Sequence, residues 1–361
     1  MEHKKNHEIE LLRAIAIIFV LMSHFNIFTA WNPAWVSTMN SHTYFWGGVD
    51  IFFCISGYVI TLGILRTLKE KKGHYSSKEI SLFWIKRFYR LIPASWFFLS
   101  LSIILSCLYN SSGIFGKTIN NINDAASQLF YLSNLRFHFC ANGWGECGKN
   151  PIYWSLSLEE QFYIIMPLMF IFCRRYIVHI LVAAIAVQFF INRPMFSLGW
   201  VLRTDAIAWG SLIALATRTK FYTMIKPNSL RNPLYRCILI IILLISLTII
   251  TKGDIFPFYI GAMAIPCALL VWIASYDNGL LSQRIANYKL IKWIASRSYS
   301  IYLSHMLSFY FVIETLQRIE GPLTGKDTFK LFFFGFLLTI IMSEISYRFI
   351  EQPFRRKNIV I

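Results

Sequence analysis

Apolar stretches of about twenty residues alternate with short polar links along the whole chain, and this pattern predicts membrane-spanning helices. A helix of that length crosses the roughly 30 Å of hydrocarbon in a bilayer. We predict about ten spans, at residues 9–28, 44–65, 93–110, 153–173, 176–191, 200–217, 235–251, 256–275, 294–315 and 328–350. No internal repeat divides them. The pattern therefore predicts an all-α, polytopic membrane bundle with one domain over residues 1–361.

Composition supports this interpretation, because 56% of the 361 residues are hydrophobic and only 15% are charged. A soluble domain of this size does not need so much apolar surface. The first apolar stretch is longer than the core of a typical signal peptide, and no clear A-x-A-like cleavage site follows it. We expect it to remain in place as the first spanning helix.

The positive charge is distributed unevenly between the two sides of the predicted membrane. The formal net charge is +17, which in a soluble protein would suggest nucleic acid binding. With the N-terminus inside, 23 Lys and Arg residues fall in inner segments and 7 in outer segments. Basic residues accumulate on the cytoplasmic side of membrane proteins. The sequence thus predicts two cytoplasmic termini, contact with membrane lipids and no nucleic acid partner.

Two polar residues interrupt the first predicted span. Arg13 and His24 are eleven residues apart, which on a helix is about 16 Å of rise and three turns, so they share nearly the same face. Because a charge at membrane depth normally faces protein or water, this face is expected to line an internal site. In the alternative interpretation, Arg13 reaches the lipid headgroups and His24 is an ordinary buried histidine. The spacing alone does not decide between them.

Other polar residues in the spans fall into an outer and an inner group. Asp50 needs a partner inside the membrane, and a histidine on the first helix would satisfy it. Sorting by depth places the outer group at His24, Asp50, Glu159, Arg203 and Asp205, and the inner group at Arg13, Arg87, Arg90, Glu344, Arg348 and Glu351. Two polar groups at different depths suit a reaction between a cytoplasmic polyanion and an outer acceptor.

The link before the third span ends in two arginines that are three residues apart, Arg87 and Arg90. Such a pair shares a helix face, and it suits either lipid headgroups or a polyphosphate. The run alone does not choose between these ligands.

Two of the seven cysteines, Cys140 and Cys147, lie outside the predicted spans, in the longest outer link. In an oxidising compartment they are expected to form a disulfide. Two free thiols in a mobile loop are the alternative.

Six short motifs occur in order along the chain: Leu12-Arg13-Ala-Ile-Ala-Ile with His24, Gly48-Val49-Asp50-Ile-Phe-Phe with Ser56-Gly57-Tyr58, Arg87-Phe-Tyr-Arg90-Leu-Ile-Pro93, Trp154-Ser-Leu-Ser-Leu-Glu159-Glu160-Gln161-Phe-Tyr163, Tyr299-Ser-Ile-Tyr302-Leu-Ser-His305 and Glu351-Gln-Pro353. Each motif is weak alone, but the ordered set resembles the bacterial membrane acyltransferase three family. The chain resembles the stand-alone members, which lack an additional outer domain.

This resemblance implies an O-acyltransferase of the bacterial inner membrane. It would move an acetyl group from cytoplasmic acetyl-CoA to a sugar hydroxyl of a surface glycan, such as lipopolysaccharide O-antigen or its lipid-linked precursor, without a metal. His24 is then expected to act as general base, with Asp50 orienting it. Arg87 and Arg90 would hold coenzyme A phosphates, and Arg13 would guide the donor's arm.

The acceptor side is expected to use the remaining polar residues of the motifs and of the sixth span, namely Glu159, Arg203, Asp205, Tyr302 and His305. For His305, helix packing is the alternative. Two other functions remain open at this stage. Buried charges also mark transport pathways, so a carrier or flippase of a lipid-linked sugar or acyl compound is one. A non-catalytic partner in glycan assembly is the other.

Overall fold

The computed structural model describes residues 6–29, 31, 33–70, 77–253 and 257–357, which form helices and no strand. The principal helices are α1 His7–Ser23, α2 Gly48–Glu70, α3 Ser77–Leu108, α4 Thr118–Leu129, α5 Ser133–Ala141, α6 Tyr153–Phe172, α7 Ile177–Phe189, α8 Asp205–Ala216, α9 Pro233–Ile250, α10 Tyr259–Ser275, α11 Lys289–Glu320 and α12 Thr328–Ile345. Shorter helical segments are Phe25–Phe28, Ala34–His42, Arg174–Tyr176, Leu198–Val201, Lys220–Met224, Asn228–Arg231, Gln283–Ala286, Gly325–Asp327, Ser346–Glu351 and Gln352–Lys357.

A helix occupies most of each predicted span. Among the described residues, six helical stretches are both long and apolar enough to cross a membrane, namely Gly48–Thr67, Lys78–Leu108, Tyr153–Phe172, Leu198–Ala216, Pro233–Ile250 and Gly325–Arg355. The chain is therefore a helical, multi-pass membrane protein, and the count of ten spans stays a prediction. Some positions used in the sequence analysis lie outside the described residues, namely Lys4, Lys5, Lys71, Lys72 and Phe256, the first residue of the eighth predicted span.

The predicted inner segments contact one another at one end of the bundle, and the outer segments do so at the other. At the inner end, the backbone N–H of His7 donates to Oδ1 of Asp277 at 3.0 Å. At the outer end, Nδ1 of His138 lies 2.7 Å from the carbonyl oxygen of Phe196. The inner and outer sides predicted from the distribution of basic residues thus correspond to the two ends of the bundle. Their assignment to cytoplasm and exterior remains a prediction.

Two of the differences between the helices and the predicted spans affect residues of the candidate site. The first span is not one continuous helix, because α1 ends at Ser23 and the backbone N–H of His24 turns back to Leu21 O at 3.2 Å. A second short helix follows at Phe25–Phe28. The third span begins much earlier than residue 93, since α3 starts at Ser77. Arg87 and Arg90 therefore lie on a helix that continues into the membrane rather than on a link below it.

The longest outer link is a structured helical hairpin rather than a mobile loop. Helices α4 and α5 fold back on each other, and a disulfide joins Cys140 to Cys147, whose Cα atoms are 5.1 Å apart. The turn of the hairpin packs against α6, where Gln128 Nε2 donates to Glu160 at 2.6 Å and the backbone N–H of Ser133 donates to Ser157 at 3.0 Å. The hairpin thus covers the first two turns of α6.

Helices α2 and α8 approach each other until their backbones touch. A Cβ atom on Gly57 would lie 2.0 Å from the carbonyl oxygen of Ile207, and one on Gly210 would lie 1.9 Å from that of Cys54. Only glycine permits such an approach, which membrane helices use to gain close packing and short polar contacts. The two helices are held in one register at these positions.

A buried ion pair lies beside this contact and corrects two expectations. Arg203 donates through Nε and Nη2 to the two carboxylate oxygens of Asp50, both at 3.0 Å, and both side chains are fully buried. Asp205 is likewise buried, with Arg193 at 2.6 Å. Arg203 and Asp205 therefore do not lie open in an outer vestibule for an acceptor. Inside an apolar bundle, each charge is satisfied by an opposite charge.

The orientation prediction is tested with single cysteines at two exposed positions, after Cys107, Cys173 and Cys237 are changed to alanine. Asn123→Cys lies in the α4–α5 hairpin and Ser229→Cys in a basic inner link, and both positions are exposed. We expect a membrane-impermeant maleimide to label Asn123→Cys in intact spheroplasts and Ser229→Cys only after lysis. The reverse pattern would show that the orientation is wrong.

Removing one partner of the buried pair should destabilise the protein strongly. Asp50→Ala leaves Arg203 charged and unpaired, which costs about 3–5 kcal/mol. We expect a marked fall in the thermal melting temperature of the purified protein, and recovery in the double variant Asp50→Ala/Arg203→Met, which has no unpaired charge. Lys330→Ala is the control, because its 2.7 Å pair with Glu320 is exposed to solvent, where an ion pair contributes little to stability. Equal losses in Asp50→Ala and Lys330→Ala would contradict this account.

Candidate active site

Helices α1, α2, α3, α6 and α11 surround a cavity of about 760 Å³ at the inner end of the bundle. Residues close to both ends of the described chain contribute to its wall, Asn6 at one end and Arg355 at the other. The wall is unusually basic for a membrane protein, because it includes five arginines, Arg13, Arg66, Arg87, Arg90 and Arg355. Such a cavity favours an anionic ligand.

The arginines differ in how far the protein itself neutralises them. Arg13 is paired with Glu10 at 2.7 Å. The guanidinium of Arg87 lies 5.1 Å from the ring centre of Tyr163, which is a cation–π contact. Within the described part of the chain, neither Arg87 nor Arg90 forms an ion pair. These two positive charges are therefore available to a ligand.

Glu159 lies in this cavity, which corrects its expected position at the outer lip. It is six residues, or about 9 Å, along α6 from Tyr153, and the α4–α5 hairpin covers the turns before it. Ser56 Oγ donates to Glu159 at 2.5 Å, and the hydroxyl of Tyr163 donates to the same oxygen. The carboxylate therefore helps to shape the arginine cavity from α6.

Tyr302 lines the end of the cavity that is farther from the chain termini. Its hydroxyl lies 2.6 Å from Ser155 Oγ and donates to the carbonyl of Ile152 at 3.1 Å, so α11 is tied to the start of α6. Its ring centre is 6.4 Å from that of Phe52 on α2. These aromatic rings close this end of the cavity.

Beyond Tyr302, the two intramembrane histidines meet. Nδ1 of His24 is 3.1 Å from Nε2 of His305, and the ring centres of Tyr302 and His305 are 5.9 Å apart. His305 is fully buried, whereas His24 keeps part of its surface exposed. Neither histidine is part of the cavity wall. The histidine pair lies next to the cavity, and Tyr302 lies between the cavity and the pair.

The structure changes the expected partner of His24. Asp50 gives both carboxylate oxygens to Arg203, and the ring of His24 instead contacts His305. The full burial of His305 also leaves it no surface for binding an acceptor directly. The predicted contact between His24 and Asp50 is thus replaced by two separate pairs, an Asp50–Arg203 ion pair and a His24–His305 pair.

Other residues of the cavity were not singled out from the sequence. The sequence predicts Arg66 and Arg355 only as positive charges of the inner segments. Ser56 and Tyr163 occur in motifs, without a predicted role in the cavity. A usable signal existed for Arg355, which follows Glu351 by four residues on a helix and donates to it at 2.6 Å. No local pattern in the sequence distinguishes Arg66 from the lysines around it.

Comparison with known proteins identifies the family of this chain. A family model described as an acyltransferase domain matches residues 6–348. The peptidoglycan O-acetyltransferase OatA of Listeria monocytogenes is 29% identical over 98% of the chain, and the O-acetyltransferase OatA of Staphylococcus aureus is 27% identical over 96%. The chain spans 56% and 57% of the lengths of these relatives. No solved structure matches. With a family model over almost its whole described length, the chain belongs to the acyltransferase three family.

Proposed function

We propose that this chain transfers an acyl group, acetyl in the simplest case, from a coenzyme A thioester to a hydroxyl of a cell-surface sugar. One observation carries the proposal: a cavity with unpaired arginines adjoins a histidine pair, and Tyr302 lies between the cavity and the pair. The cavity suits a polyphosphate, and a neutral histidine suits proton transfer from a hydroxyl.

The donor would enter from the cytoplasm, because the arginine cavity lies at the end of the bundle with the predicted inner segments. Arg87 and Arg90 would bind its phosphates through charge-assisted hydrogen bonds. Arg13 is already paired with Glu10, so it contributes less free charge and is placed to guide the donor's arm along α1. The thioester would reach His24 past Tyr302, which must therefore move or turn during each transfer.

The chemical step follows from the position of His24. Its neutral imidazole takes the proton of the acceptor hydroxyl while the hydroxyl oxygen attacks the thioester carbon. The bond between carbon and sulfur breaks, and the thiolate of coenzyme A receives the proton from the imidazolium. The products are an ester on the sugar and free coenzyme A.

The acceptor is proposed as a surface glycan that approaches from the outer face of the bacterial cytoplasmic membrane. The relatives in Listeria and Staphylococcus include a protein named for peptidoglycan O-acetylation, whereas the motif set suggested lipopolysaccharide O-antigen. Mass spectrometry of both glycan fractions, from cells with and without the gene, separates these acceptors. Loss of O-acetyl groups from one fraction identifies it. Unchanged acetylation in both would contradict the proposal.

Transfer itself is tested with purified protein, labelled acetyl-CoA and the isolated glycan. We expect labelled ester on the glycan and release of free coenzyme A. A carrier or flippase would move a labelled compound across a vesicle membrane without forming an ester. That result would contradict the proposal and favour a carrier or flippase.

His24→Ala should abolish most of the transfer and leave the fold intact. A general base contributes roughly a hundredfold to ten-thousandfold, so the turnover number should fall by that factor. His42→Ala is the control, since His42 is an exposed histidine on the helix Ala34–His42. Both variants are first checked for a normal thermal melt. If His24→Ala keeps more than about a tenth of the wild-type turnover, His24 is not the base.

Arg87→Ala and Arg90→Ala should weaken the use of acetyl-CoA specifically. Loss of a charge-assisted phosphate contact costs about 1.5–3 kcal/mol, or roughly a ten- to hundredfold rise in the donor KM. Acetyl-pantetheine lacks the nucleotide and its phosphates, so its KM should not change. Lys220→Ala, at an exposed basic position outside the cavity, is the control. Equal effects on both donors, or a lower membrane yield with unchanged kinetics, would exclude phosphate binding.

A further inference from the structure

The surroundings of His305 determine which of its ring nitrogens carries the proton. Nδ1 lies 2.8 Å from the carbonyl oxygen of Tyr302 and 3.2 Å from that of Ile301. Carbonyl oxygens only accept hydrogen bonds, so Nδ1 must be the donor. A neutral imidazole has one protonated nitrogen, and Nε2 of His305 is therefore an acceptor.

The tautomer of His305 determines which ring nitrogen of His24 carries the proton. Because Nε2 of His305 accepts, Nδ1 of His24, 3.1 Å away, must donate the hydrogen bond between them. The neutral ring of His24 then carries its lone pair on Nε2. His24 is partly exposed and His305 is fully buried, so of the two residues His24 is the one open to its surroundings.

We infer that His305 is a positioning residue, which fixes the tautomer of His24 so that Nε2 takes the proton of the acceptor hydroxyl. The inference rests on the proposed function, since it states how the base of that reaction is prepared. When His24 becomes an imidazolium, its Nδ1–H still has an acceptor in His305. The orientation of the ring is thus kept before and after proton transfer.

A neutral orienting residue also suits the depth of this pair. A carboxylate beside His24 would place a net charge in a buried site, and Asp50 is already satisfied by Arg203. Two neutral imidazoles carry no net charge, and a buried charge costs far more than a hydrogen-bonded neutral group. The ion pair and the histidine pair can therefore exist in the same membrane bundle without competing.

The test compares two substitutions at the same position. The carboxamide oxygen of His305→Gln can occupy the place of Nε2 and accept from His24, whereas His305→Leu has similar bulk and no acceptor. We expect His305→Leu to lower the turnover number at least about tenfold with an unchanged donor KM. His305→Gln should stay within about fivefold of the wild type. Equal losses in the two variants, or no loss in His305→Leu, would overturn the inference.

A second measurement does not depend on activity. Nitrogen NMR of protein labelled only in its histidines reports which ring nitrogen is protonated, and the His24→Ala spectrum assigns the signals of His24. The wild type should show a proton on Nδ1 and none on Nε2, and His305→Leu should show a mixture. A wild-type signal with the proton on Nε2 would refute the inference even if the protein proves not to be an acyltransferase. If the tautomer is as inferred but no transfer occurs, the proposed function fails instead.

Discussion

The pairing of Asp50 with Arg203, beside the glycine contact of Gly57 and Gly210, fixes helix α2 against α8. A charged group without its partner would be costly at this depth, so the two helices have one stable arrangement. Trp154 and Trp200 enclose the guanidinium, with ring centres 4.6 and 4.4 Å away, and α6 is thereby tied to the same position. The opposite face of α2 then presents Phe52 and Ser56 to the cavity. The shape of the proposed donor site thus depends on an ion pair that is not part of the cavity wall.

The bundle separates two chemical requirements that are hard to meet in one place. Phosphates need positive charge, which is tolerated near the membrane surface, and the arginine cavity supplies it at the inner end. A general base must be neutral before it accepts a proton, and in the proposed function the histidine pair would provide such a group deeper in the bundle. Tyr302 joins the two regions, because it lines the cavity and also lies beside His305. On this account, movement at Tyr302 is the step that brings the acyl group to the base.

The sequence predicted the helices well because apolar length is a local property. It also singled out two arginines of the inner cavity, Arg87 and Arg90, since they share one helix face wherever that helix starts. It did not predict the partner of Asp50. Depth along a span can be estimated from residue number, whereas the side of the neighbouring helix that a charge meets depends on packing. The sequence analysis placed Glu159 too far towards the outer side for a related reason. No local feature of the sequence indicates that the α4–α5 hairpin covers the start of α6.

The most direct test of transfer across the membrane uses sealed, inverted membrane vesicles that carry the protein and enclose the acceptor glycan. Labelled acetyl-CoA is added outside, where the cytoplasmic face is exposed. The account predicts labelled ester on the enclosed glycan, free coenzyme A outside, and neither product with the His24→Ala protein. Labelled acetyl-CoA inside the vesicles without ester formation, or ester that appears only after the vesicles are opened, would contradict it.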